Sequence, residues 1–329
     1  MTEPLVVSDN LENLINICPG SRAKRIEKTA LSLADQELLN CLGLPDSLFS
    51  STLPSGISAD GRLRIILVDD AADSQYDALL AALRAGRELP SPAACVAFTG
   101  RNFHGQRQRP WFAQRGNLHL TLYSQPDVNI AETRTGLIVL PALAAIDAIS
   151  TLAGGNIGLG IKWVNDIMIG DGKLGGVLTA TQLQGHRTET VVFGIGLNIA
   201  APPKIEPSPF VPQSDFLQAH LPGVSLRDVF WQFMKEFEKR YRQLLRQGSG
   251  ALLDDYRRHS LILRREVCIW DEDSLTNRTN WIKGEPLACG VVSSIEDDLS
   301  LRVNDKEIYR GRVSLTRICD RYGFKCDLQ

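Results

Sequence analysis

The chain has 329 residues, 43% of them hydrophobic, and carries 36 Lys and Arg against 38 Asp and Glu, a net charge of −2. That length allows one large core plus one or two smaller modules. The balanced charge excludes a protein held on nucleic acid by bulk positive charge. Seven cysteines lie scattered at 18, 41, 95, 268, 289, 319 and 326, without a C-x-x-C pair. Neither a disulfide framework nor a zinc site is therefore expected, and a reducing, cytoplasmic setting is. Met1-Thr2-Glu3-Pro4 offers no basic start or long apolar run, so no secretory leader is expected, and no stretch is read as a membrane span.

Residues 1–60 read as an N-terminal helical segment of unassigned role. Leu11, Leu14 and Ile15 have helical spacing, stopped by Cys18-Pro19-Gly20-Ser21, and a second helix runs from Ala30 to Leu42. Pro54-Ser55-Gly56 marks a boundary, and Leu63 to Val68 is an aliphatic strand. Asp73-Ser74-Gln75-Tyr76-Asp77 then opens a helix, with Asp73 or Ser74 as its N-cap.

Ala94 to Thr99 reads as a strand. It is followed by the glycine-punctuated basic loop Gly100-Arg101-Asn102-Phe103-His104-Gly105-Gln106-Arg107-Gln108-Arg109-Pro110-Trp111. Backbone N–H groups and guanidinium forks in such a loop suit phosphates. Gly116 to Leu122 alternates with period two, as a strand does, and His119 within it is read as a satisfied sheet histidine. Ile130 to Ala153 is a long apolar helix in which Pro141 should place a kink or break.

Ile161-Lys162-Trp163-Val164-Asn165-Asp166-Ile167 reads as strand, tight turn and strand, and Gly172-Lys173-Leu174-Gly175-Gly176-Val177-Leu178 as the strand after it. Asn165 and Asp166 need partners if buried. Gly175 and Gly176 let a ligand or backbone come close. Lysine, carboxylate and amide around one hairpin suit an anionic, phosphate-bearing substrate. Thr190 to Ile199 is a further strand ending in Gly194-Ile195-Gly196-Leu197-Asn198.

Pro202 to Pro212 holds five prolines and is read as an extended loop. After it, Ser225 caps an amphipathic helix with Val229, Phe230, Phe233, Met234, Phe237, Tyr241, Leu244 and Leu245 on one stripe, and a second helix runs from about Ala251 to His259. From Arg265 onward short strands are expected at Glu266–Trp270, Trp281–Lys283, Leu287–Ser293, Leu299–Val303 and Glu307–Ser314.

Three motifs in order, Lys-Trp-x-Asn-Asp-Ile at 162–167, Gly-Lys-Leu-x-Gly-Val-Leu at 172–178 and Gly-Ile-Gly-Leu-Asn-Ile at 194–199, resemble the biotin–protein ligases of the biotin and lipoate ligase superfamily. The resemblance covers roughly residues 63–315 and departs in places. Asp73 and Ser74 match the family's Asp-Ser-Thr-Asn run, whereas Gln75 and Tyr76 do not. In the basic loop Gly105, Arg107, Arg109 and Trp111 match; Phe103, His104, Gln106 and Gln108 stand where the family has glycine or arginine, and Gly100 where it has glutamine. Some family members carry an N-terminal DNA-binding winged helix; residues 1–60 supply no third helix and wing, so nucleic-acid binding is not expected.

The resemblance implies an α/β (α+β) fold. A mixed-sheet catalytic domain with helices on it would span 61–262, and a small SH3-like β-barrel 263–329. It implies an enzyme that uses ATP, with Mg²⁺, to adenylate biotin and pass it to a lysine of a biotin carboxyl carrier protein domain. Lys173, Arg107 and Asp166 would be catalytic, with Asp166 also a candidate Mg²⁺ ligand and no other metal site. Ser74, Gln75, Tyr76, His104, Gly105, Gln106, Arg109, Trp111, Asn165, Gly175, Gly176 and Asn198 would bind acid or nucleotide. Ligases of this kind often dimerise. Two alternatives stay open: a ligase for lipoate, octanoate or another small acid, and a non-catalytic sensor of biotin or its adenylate.

Overall fold

The structure, a computed structural model, describes residues 4–54, 62–211, 213–271 and 285–315. The expected strand at Trp281–Lys283 lies outside them. The chain divides into two compact units: Met1–Ala131 with Val177–Ala201 and Val224–Trp231, and Glu132–Gly176 with Pro202–Gly223 and Gln232–Gln329.

The first unit opens with β1 (Leu5–Ser8), α1 (Leu11–Ile17), β2 (Lys24–Glu27), α2 (Leu33–Cys41) and β3 (Ser47–Ser51). It continues through β4 (Arg64–Ala71), α3 (Gln75–Arg84), β5 (Ala93–Gly100), β6 (Leu118–Ser124) and β7 (Val128–Asn129). The N-terminal stretch is thus not helical alone. Its strands build a mixed sheet in the order β2-β3-β1-β4-β5-β6, followed by β11 (Arg187–Leu197). β1 runs parallel to β4, and β4 to β5, while the other pairs in this order are antiparallel.

Helices α2 and α3 pack Leu38, Leu39 and Leu79 onto Val7, Ile66, Val68, Cys95 and Tyr123. Each fully buried Leu or Val in that layer contributes about 1.5–3 kcal/mol. β6 is buried on both faces over Leu118–Tyr123 and paired along both edges, by β5 and β11. Its sequence alternation therefore does not mark a solvated face.

The second unit holds most of α4 (Ile130–Ala153), then β8 (Leu159–Lys162), β9 (Asp166–Ile169) and the start of β10 (Gly172–Gln184). α4 runs through Pro141 as one helix, not two. By length and composition it could cross a membrane, contrary to the sequence expectation, but 67% of that window is buried inside the protein. Within the unit Gly136 N donates to Ser249 Oγ and Arg240 clamps Asp147 and Asp255. β12 (Gln213–Ser214) pairs with Gly172 and Lys173. α5 (Leu226–Gln247) follows the predicted stripe except at Leu245, which is exposed, and α6 (Gly250–His259) comes next.

The expected β-rich C-terminus is a five-stranded antiparallel sheet among the described residues. It comprises β13 (Glu266–Trp270), β14 (Ala288–Ile295), β15 (Leu301–Val303), β16 (Lys306–Ile308) and β17 (Arg312–Leu315), in the order β16-β15-β14-β13-β17. One expectation is corrected here. Cys268 and Cys289 stand directly opposite each other in β13 and β14 and form a disulfide. Antiparallel register brings them together, which a 21-residue sequence separation does not reveal.

Candidate active site

In the first unit, Ser74 caps α3 by accepting from Asp77 N at 3.4 Å. Gln75 follows it into the interior. Its side chain is 2% exposed, and neither amide atom has a hydrogen-bond partner among the described residues. A buried primary amide without partners costs about 1–3 kcal/mol per group until something satisfies it. The Tyr76 ring packs on β11, where a Cβ at Gly194 would lie 3.2 Å from it. Burial pushes its phenol up to about 12.

The basic loop after β5 folds back on itself. Gly105 N donates to Arg109 O at 2.8 Å and Trp111 N to Phe103 O at 2.9 Å. The tip is Gln106–Gln108, where Arg107 and Gln108 both take left-handed φ values of 56° and 58°. Non-glycine residues there cost about 1–2 kcal/mol each. Arg107 is exposed, whereas Arg109 Nε is engaged by Gln106 O at 2.9 Å. His104 ties the loop to α3: Nδ1 is 2.9 Å from Gly105 O and Nε2 2.7 Å from Asp77 Oδ2.

Trp111 anchors the loop's far end. Its ring covers Gly196 so closely that a Cβ there would fall 2.6 Å from it, and its Nε1–H donates to His119 Nδ1 at 3.2 Å. His119 Nε2 in turn donates to Gln114 O at 3.1 Å, which fixes a neutral ring. Burial holds its pKa down at about 4. His119 is therefore a satisfied sheet residue, as read. A cleft of about 960 Å³ opens beside this loop, lined in part by Gly100, Phe103, His104, Gln108 and Trp111.

Asn117 has a role that sequence reading missed. Its Oδ1 accepts from Ile199 N, Ala200 N and Ala201 N, fixing the chain just after Asn198, which is itself buried. The asparagine after Gly116, at the opening of an otherwise apolar strand, was its signal.

In the second unit the geometry centres on Asp166. The β8–β9 turn places Asp166 directly opposite Lys162, and Lys162 Nζ lies 3.3 Å from Oδ2. On the other side β10 carries Lys173, whose Nζ lies 2.6 Å from Oδ1. Regular alternation would point Lys173 and Gly176, three residues apart, to opposite faces. Gly176 is opposite Asp166, and the register shifts between Lys173 and Gly175. This β-bulge returns Lys173 to the face of Asp166. A Cβ at Gly176 would have only ordinary contacts at 3.7–3.8 Å with Asn165 O, Asp166 Oδ1 and Lys173 Cε. Gly176 thus leaves open space beside the ion pair. Asn165 is buried in the turn, whose Val164 carbonyl accepts from Tyr256 and whose Trp163 Nε1 donates to Leu299 O.

Lys162 was not singled out from the sequence. It is buried, it donates to the Phe210 carbonyl, and burial lowers its pKa to about 8. A lysine inside an apolar strand was the available signal. Asp166 as it stands does not fit Mg²⁺, since each of its oxygens faces an ammonium group. Among the described residues no three His, Cys, Asp or Glu side chains form a metal-binding group. The site residues thus form two constellations: Ser74, Gln75, Tyr76 and the 100–111 loop in one unit, Asn165, Asp166, Lys173 and Gly176 in the other.

Comparison with known proteins follows these residues. Residues 61–198 match the biotin/lipoate A/B protein ligase family. The bifunctional ligase/repressor BirA of Bacillus subtilis is 32% identical over 166 residues, 50% of each chain. The biotin–[acetyl-CoA-carboxylase] ligase of Paracoccus denitrificans is 35% identical over 120 residues, 36% of this chain and 48% of that one. The chain thus spans about half the length of the curated relatives it matches. In fold, it is similar to the biotin protein ligase of Aquifex aeolicus in complex with biotin and ATP, with a TM-score of 0.56 at 19% identity, covering 76% of this chain and 97% of the other. The similarity of this chain to the biotin/lipoate A/B protein ligase family thus rests on residues 61–198.

Proposed function

We propose that the chain is an ATP-dependent biotin–protein ligase. The carboxylate of biotin attacks the α-phosphorus of ATP, the bond to the bridging oxygen breaks, and pyrophosphate leaves. A lysine amine of a biotin carboxyl carrier protein domain then attacks the acyl carbon, loses a proton, and AMP departs. The observation that carries this reading is the bulge in β10, which sets Lys173 against Asp166 inside the matched family domain.

Both steps build or shift negative charge on the α-phosphate, and a preorganised ammonium stabilises it where water is excluded. Lys173 is assigned that role. Arg107, exposed on its loop, is assigned to the phosphates, Arg109 to holding the loop, and Asn165 and Asn198 to the nucleotide. Asp166 orients Lys173. Mg²⁺ would come with the ATP phosphates and supply counter-charge there; no side chain of this chain is assigned to it. The buried amide of Gln75 favours an acid with a hydrogen-bonding head, such as the cyclic urea of biotin, over the dithiolane of lipoate.

ATP–pyrophosphate exchange with biotin and with lipoate, each supplied alone, tests the proposal. Exchange with biotin supports it. Exchange with lipoate only changes the substrate and keeps the mechanism. Binding of either acid without exchange replaces it with a sensor function, for which the altered residues Gly100, His104, Gln106 and Gln108 speak.

A further inference from the structure

Asp166 is shared by two lysines of unequal exposure. The Lys173 side chain is 21% exposed and Lys162 only 6%. Lys162 is also held from a third direction by the Phe210 carbonyl. Over the Phe210 ring, at 4.0 Å, lies the guanidinium of Arg312 from β17. Among the described residues, the charged groups facing Lys162 are Asp166 on β9, Lys173 on β10 and Arg312 on β17; Tyr256 on α6 also faces Asp166. Two lysines thus share one carboxylate, and Arg312 adds to the positive field that Lys162 feels.

We propose that Lys162 is a positioning residue, the standing counter-ion that keeps Asp166 paired while Lys173 is drawn to the reacting phosphate. The inference rests on the ligase reading above. Suppose Lys173 alone neutralised Asp166. Its transfer to substrate would then strand a mostly buried carboxylate, and the ion pair would compete with the phosphate for the same ammonium. With Lys162 anchored at Oδ2 and Phe210 O, Asp166 keeps a partner when Lys173 serves the reaction. Lys162 itself, held in the strand and nearly inaccessible, touches no substrate.

Burial works against the Lys162 charge, with Asp166 supporting it and Lys173 and Arg312 opposing it, so its pKa falls to about 8. The wild-type reaction should therefore lose rate as pH rises through that value.

The test is biotin-dependent ATP–pyrophosphate exchange by the full chain between pH 6.5 and 9.5, for wild type, Lys162→Met and Lys162→Arg. Lys162→Met should lower kcat by about tenfold or more, leave KM for biotin within about threefold, and lack the alkaline limb. Lys162→Arg keeps its charge throughout, so it should recover rate relative to Lys162→Met and carry no limb near pH 8. Lys162→Met at the wild-type rate with the wild-type profile overturns the proposal, as does an unchanged limb in Lys162→Arg. If either variant fails to fold by thermal melt, the other decides. A wild type without an alkaline limb overturns the proposal by itself. Absence of exchange in the wild type with either acid overturns the ligase reading and this inference together, whereas normal exchange indifferent to Lys162 removes this inference alone.

Discussion

Acid should destabilise the first unit through one imidazole. His119 is buried on β6 with both ring nitrogens engaged, and its pKa is pushed from 6.5 to about 4. An unfolded chain takes up this proton below pH 6.5, while the folded chain resists it until about pH 4. A depressed folded pKa contributes its full stability above the unfolded value and loses it as pH falls, so stability must drop across that window. With one proton at about 1.4 kcal/mol per pH unit, the loss at about pH 4.5 is about 2.5 kcal/mol. Urea unfolding of wild type and His119→Gln from neutral pH to about 4.5 reads it directly. The glutamine amide can still accept from Trp111 and donate to the Gln114 carbonyl, but it does not titrate. Low-pKa carboxylates such as Asp69 act in both proteins and cancel in the difference. The wild-type advantage should shrink by about 2.5 kcal/mol over the range. Parallel stability curves for the two proteins would refute the reasoning.

Three further outcomes are expected. Lys173→Met should cut pyrophosphate exchange by about 10²-fold or more with an unaltered circular dichroism spectrum, and a near-wild-type rate removes Lys173 from the chemistry. Gln75→Leu should raise the stability of the ligand-free protein by about 1 kcal/mol, because it removes an unpartnered buried amide, and should weaken biotin while sparing lipoate in a competition assay; equal losses for both acids would place Gln75 outside the head-group site. Closing the 21-residue separation, the Cys268–Cys289 bond should stabilise the C-terminal sheet by about 3 kcal/mol, read as a drop in melting temperature on adding reductant. Alkylation of Cys268 without prior reduction would contradict that bond.

Much of the second constellation was legible because polar residues interrupt apolar strands at Asn165, Asp166 and Lys173, and turn residues separate them. The bulge was not, since it is a property of pairing: nothing in Gly172–Gly176 states which residue of β9 stands opposite. Lys162 escaped for the same reason, its partner being defined by the hairpin register. In the first unit the cap at Ser74 followed from local chemistry, but the clasp from His104 to Asp77 spans 27 residues and is a tertiary fact. The strands before residue 52 were missed because they are short. β2, Lys24–Glu27, has a largely exposed, charged surface with no apolar period, and only pairing with β3 makes it a strand. Pro141 was weighed as a local breaker, yet the helix continues because buried neighbours on both sides of it hold the segment in place.

β1 also bears on where this protein can be cut. The family match begins at residue 61, just before β4, which invites the view that the preceding residues are an appendage. But Leu5–Ser8 forms a parallel ladder with Arg64–Leu67, and Asn13 Nδ2 and Asp9 Oδ1 bond Asp69. A chain shortened to residue 61 would leave β4, an aliphatic strand, with a row of open N–H and C=O groups at the sheet's margin. It would be expected to self-associate through that margin. Residues 4–51 are thus the seal on the mixed sheet, and the first place where a shortened protein would become insoluble.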